Sequence, residues 1–157
     1  MVTKTSSEEV REFFGKKLPK EWRASGEPEV SSDGEEILVV LAIDGDAGEF
    51  REHTREQRMA IADEAQKKFN RTVSWGVQVG DQRKLFTSVA LPVMTRLRLP
   101  ERAVLDTLVA AGVARSRADA LGWCVRLVGK HEADWLKDLD DALTHVKQVR
   151  SEGPVSL

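Results

Sequence analysis

The feature that most limits what this chain can fold into is Val93–Leu99 and the proline after it, V-M-T-R-L-R-L-P. Strand side chains alternate, so Met94, Arg96 and Arg98 are expected on one face and Thr95, Leu97 and Leu99 on the other. Pro100 stops the strand, and its fixed φ suits the first turn of a helix. A helix is expected over Glu101–Ala111, with Val104, Leu105, Leu108 and Val109 on one stripe. Gly112 fits its C-terminal cap. Ser116 fits the N-cap of a second helix carrying Leu121, Val125 and Val128. A lone strand of this kind lacks partners for its backbone and its apolar face. Two chains solve the problem together, each lending its strand to an antiparallel ribbon laid over four helices.

That arrangement leaves Arg96 and Arg98 of both chains on the ribbon's outer face. A two-stranded ribbon fits the DNA major groove, and arginine matches guanine edges and phosphates. The run Arg98-Leu99-Pro100, the Leu105-Asp106-Thr107-Leu108 helix, the Gly112–Arg117 turn and the helix from Ala118 resemble the ribbon-helix-helix family of dimeric DNA-binding proteins. The resemblance implies base contacts from Met94, Arg96 and Arg98. It implies phosphate contacts at the second helix's N-terminus from Ser116 and Arg117, with Arg115 beside them. The partners so implied are double-stranded DNA and a second copy of the chain, joined through residues 93–128. The resemblance covers about a quarter of the chain. A solvated edge strand followed by a helical hairpin remains the plainer alternative. Gly122, early in the second helix, costs about 1 kcal/mol relative to alanine.

Charge distribution supports the same segment. The whole chain carries a formal −2, but residues 50–130 hold a basic excess, while the segments on either side are acidic. A local positive face of this kind binds DNA with strong salt dependence.

The remaining chain is expected to be α+β. Residues 1–24 hold a short helix, with a possible capping box at Ser6 and Glu9. Val10, Phe13, Phe14 and Trp22 need cover, which docking on the rest of the protein would supply. Residues 25–36 are expected to be a flexible polar connection, so that 1–35 form a helix and linker. Residues 36–91 form a β-α-β-β module: a buried strand over Glu36–Asp44, a turn at Asp44–Gly48, one helix over Glu49–Phe69, and a hairpin of Arg71–Val79 and Arg83–Leu91. Residues 92–150 form the ribbon-helix-helix segment, whose second helix runs on to about Arg150 along a heptad-like seam. Residues 151–157 are expected to be a disordered tail.

No cofactor or metal site is expected. Glu49, Glu52, His53 and Glu56 lie within two turns of each other, but acidic groups also favour a helix start, and no second motif completes a coordination shell. Asp44-Gly45-Asp46 lacks the remaining ligands of a calcium loop. Cys124 is the lone cysteine, so no disulfide closes within one chain. No phosphate loop, H-E-x-x-H or G-x-S-x-G is present, and a non-enzymatic role follows. The absence of a signal region or a long apolar run suggests the cytoplasm. The rival function is a protein-partner module of antitoxin or accessory type, with residues 1–91 binding a protein or effector and DNA binding secondary.

Overall fold

A computed structural model describes residues 7–154 as a mixed α+β chain with one four-stranded sheet and six helices. The possible cap at Ser6 and residues 155–157 of the expected tail lie outside the described residues. The chain divides into two compact units, Met1–Pro92 and Val93–Leu157.

The first unit contains α1 (Ser7–Lys17), a 3-10 turn (Lys20–Arg23), β1 (Glu29–Ser32), β2 (Glu36–Ala42), α2 (Ala47–His53), α3 (Arg55–Phe69), β3 (Thr72–Val79) and β4 (Gln82–Leu85). The sheet order is β1-β2-β3-β4, with β2 and β3 parallel and both outer pairs antiparallel. A parallel pair needs a crossover, which α2 and α3 supply. Ile37, Val39 and Leu41 alternate along β2 and are fully buried, so one face of the strand meets the helices. Against it pack Val10, Phe13 and Phe14 of α1 and Ile61, Ala65 and Phe69 of α3. The N-terminal segment therefore docks on its own sheet. Edge-to-face contacts link Phe69 to Phe13, Phe13 to Phe14, Phe14 to Trp75, and Trp75 to Trp22. Aromatic pairs prefer this geometry because a positive ring edge meets a negative ring face.

Three expectations for this unit are corrected. Residues 25–36 are no flexible connection, because Glu29–Ser32 form an edge strand on β2. Asp33 Oδ1 accepts the N–H groups of Glu35 and Glu36 at 2.9 and 2.8 Å, which closes a tight Asx turn between the two strands. The single helix expected over Glu49–Phe69 is two helices meeting at Thr54 (φ −100°, ψ 0°). There the Thr54 hydroxyl donates to the Phe50 carbonyl at 2.6 Å and accepts Arg58 Nε at 3.0 Å. Arg58 is buried, with Nη2 donating to the Arg51 carbonyl and its guanidinium over the Phe86 ring. Burial holds its pKa below the usual arginine value. The expected turn at 44–48 is present, and Asp46 caps α2 by accepting the Glu49 N–H at 2.9 Å.

The second hairpin strand ends at Leu85 rather than Leu91. Phe86 and Thr87 both donate to the Trp75 carbonyl, a two-on-one pairing that turns the chain out of the sheet. Gly76 makes this close approach possible. A Cβ there would lie 2.7 Å from Leu85 Cδ2 and 3.0 Å from the Lys84 carbonyl oxygen. Gly76→Val is accordingly expected to destabilise the unit by about 1–3 kcal/mol. Chemical denaturation checks this, and an unchanged midpoint would mean that β4 yields freely.

The second unit contains α4 (Leu99–Ala110), α5 (Arg117–His131) and α6 (Ala133–Glu152). Its buried core is small: Leu105, Ala114 and Ala120, with Leu97, Leu108, Val109, Leu121 and Cys124 packed around them. The expected continuous helix to Arg150 is kinked at Glu132 (φ −111°, ψ 27°). Gly129 weakens the helix just before the kink, and Asp134 suits the new first turn. Ser151 and Glu152, expected in the tail, close α6.

Candidate nucleic-acid interface

Pro100 and Glu101 fix where α4 begins. The Glu101 carboxylate accepts the Arg98 N–H at 3.2 Å, and Arg102 Nη1 donates to the Leu97 carbonyl at 2.5 Å. Residues 88–98 carry no helix or strand within the single chain, so the segment expected as a strand has no partner here. Of residues 93–98 only Leu97 is half-buried, and Val93 and Thr95 are exposed along with Met94, Arg96 and Arg98. Thr95 and Leu97 line a groove of about 220 Å3 with Arg102, Leu105, Arg117, Ala118 and Leu121. Met94, Arg96 and Arg98 lie outside that lining and are exposed, Met94 almost completely at 96%. Leu99, expected with Thr95 and Leu97, is 70% exposed as the first residue of α4.

The turn between α4 and α5 follows local chemistry. Gly112 adopts φ +78°, a conformation that costs glycine little. Ser116 is extended, and its hydroxyl accepts the Asp119 N–H at 3.1 Å. Asp119 in turn accepts the Arg115 N–H at 3.0 Å. The first N–H groups of α5, at Arg117 and Ala118, have no intrahelical acceptor and form an electropositive helix start.

The six candidate residues do not share one environment. Among the described residues, Arg96 and Arg98 make no ion pair. The Arg115 side chain is almost fully exposed, with a loose 4.0 Å approach to Asp119. Arg117 is held by Asp106 in a two-pronged pair, Nε to Oδ1 at 2.8 Å and Nη2 to Oδ2 at 2.9 Å. That pair ties α5 to α4, so Arg117 has a structural role beside its expected one. Spacing within either helix does not show it, because the partners lie on different helices. Arg102, which pins the segment before α4, was also outside the sequence-derived set.

The hydrogen bond from Arg117 holds the Asp106 carboxyl below the usual carboxylate range, and Asp106 raises Arg117 in turn. A depressed carboxyl contributes stability above its unfolded value, near 3.8, and the contribution is lost as pH falls through the lower folded value. Asp106→Asn is expected to flatten the acid limb of thermal stability for this unit below about pH 4. An unchanged acid limb in the variant would show that the pair is broken in solution.

Elsewhere, His53 Nδ1 lies 2.8 Å from the Glu49 carbonyl oxygen, a contact within its own helix. Among the described residues no group of three or more His, Cys, Asp or Glu side chains is placed to hold a metal. No described helix is long and apolar enough to cross a membrane.

A part of each unit matches a domain family model. Residues 41–85 match the N-terminal domain of the Rv1265-like protein, and residues 98–150 match the Mb1296 C-terminal domain. The chain is 50% identical to the uncharacterized proteins Mb1296 of Mycobacterium bovis and Rv1265 of Mycobacterium tuberculosis, over 91% of its own length and 69% of theirs. It belongs to the Rv1265-like family. No solved structure matches it at a significant level.

Proposed function

We propose that this protein is a dimeric, double-stranded-DNA-binding regulator of the ribbon-helix-helix type. Residues 94–98 of two chains pair as an antiparallel ribbon that enters the major groove. The observation that carries this reading is a pair of exposed arginines beside an apolar groove that the same segment helps to line. Leu97, half-buried, and Thr95, itself exposed, line the apolar groove of the helices, while Met94, Arg96 and Arg98 lie outside its lining, and among the described residues the two arginines make no ion pair.

Each part then has a task. The outward arginines reach guanine edges or phosphates. The start of α5 offers Ser116 and two N–H groups to a flanking phosphate, with Arg115 adding charge. Arg117 contributes chiefly by fixing α5 on α4 through Asp106. The buried core of this unit is small, and a second copy would complete its apolar groove.

Gel mobility of a double-stranded DNA pool with the full chain tests the proposal. A retarded complex at low salt, weakening steeply as salt rises, is expected. DNA that stays unshifted at about 50 mM salt would remove the basis for the reading.

A further inference from the structure

The last helix leaves a large part of its surface without an intramolecular partner. Trp135, Leu139, Ala142, Val146 and Val149 follow the alternating four-three spacing of a heptad seam, and Leu136 and Leu143 widen it. None of α6's twenty residues is buried, and the large apolar side chains on this stripe are 40 to 57% exposed. A stripe this regular is the pattern of a helix that packs on another helix.

Two observations bear on what covers it. The first is that the N-terminal unit has no matching face. Its apolar residues are gathered on its own sheet, and its exposed large apolar side chains among the described residues are the scattered Met59, Leu85 and Leu91. The second is the charge along α6. Its first half carries Asp134, Asp138, Asp140 and Asp141 against Lys137, whereas its second half carries Lys147 and Arg150 against Glu152. This gradient suits the helix's own dipole, but the same gradient repels a parallel copy and attracts an antiparallel one.

We propose that α6 pairs antiparallel with α6 of a second copy of this chain, burying the Trp135–Val149 stripe. The acidic first half of each helix then lies against the basic second half of the other, and the two dipoles oppose. At twenty residues the helix is about 30 Å long, long enough for several layers of packed side chains. This contact is separate from the ribbon at 94–98. It adds either a second seam to the same dimer or a link between dimers, and it does not depend on DNA binding.

Sedimentation equilibrium of the full chain tests it with charge reversals, helicity being checked by circular dichroism. Asp138→Lys/Asp141→Lys alone and Lys147→Glu/Arg150→Glu alone are each expected to weaken α6-dependent association about tenfold. An equal mixture of the two is expected to restore it, and high salt to erase the difference. Leu139→Asp is expected to abolish the same association step. Arg96→Ala/Arg98→Ala is expected to leave that step unchanged, which separates this contact from the DNA-binding proposal. Stronger association of Asp138→Lys/Asp141→Lys would indicate parallel pairing and overturn the antiparallel assignment. Wild-type association in the folded Leu139→Asp variant would show that α6 does not pair with itself, leaving its stripe to a different protein.

Discussion

Arg96→Ala/Arg98→Ala is expected to lower affinity for double-stranded DNA about 1000-fold at fixed salt while the chain stays folded. The proposed dimer would present four copies of these guanidinium groups, and each base contact is worth about 1–3 kcal/mol. Even the lower bound for four contacts corresponds to a factor of about 1000. Stability is expected to be unaffected, because both side chains are exposed and neither makes an ion pair among the described residues. If the arginines meet phosphates instead, affinity falls less, and the slope of log affinity against log salt drops by about 4. Fluorescence anisotropy at several salt concentrations distinguishes the two cases. Wild-type affinity in the folded variant would show that this face does not touch DNA.

Phe14→Ala is expected to destabilise the N-terminal unit by about 3–5 kcal/mol, a large share of a small domain's stability. Phe14 is fully buried and touches both Phe13 and Trp75, so its removal opens the centre of the aromatic cluster between α1 and the sheet. The surrounding rings cannot all close the space, because each is fixed by its own edge-to-face neighbours. A denaturant midpoint followed by tryptophan fluorescence reports the loss, since Trp75 lies beside the cavity. A shift under about 1 kcal/mol would mean that α1 is weakly attached to the sheet.

Features fixed by local chemistry were legible in the sequence. The glycine at 112 takes the positive φ that its position requires, and Ser116 caps α5 within one turn. The burial of Ile37, Val39, Val40 and Leu41 was likewise visible as an apolar run. Features that depend on distant partners were not. Glu29–Ser32 read as polar linker because an edge strand needs few apolar residues, and its identity comes from pairing with β2. At the kink, Thr54 is engaged by Arg58, whose guanidinium lies over Phe86, and Arg58 and Phe86 meet only after the fold has formed. In the candidate site, burial does not separate the two faces expected from alternation, since Val93 and Thr95 are exposed along with Arg96 and Arg98, whereas the capping role of Ser116 was legible. The engagement of Arg117 by Asp106 was not, because it joins two helices.

Amide hydrogen exchange across residues 93–99, measured in the free protein and with DNA, tests the central claim most directly. The proposed ribbon pairs these backbones between chains. Alternate amides of this segment are therefore expected to exchange slowly at dimer-forming concentrations and faster on dilution, with Arg117 and Ala118 becoming protected when DNA is added. Fast exchange throughout 93–99 at every concentration, unchanged in the presence of DNA, would contradict the ribbon and the DNA-binding function built on it.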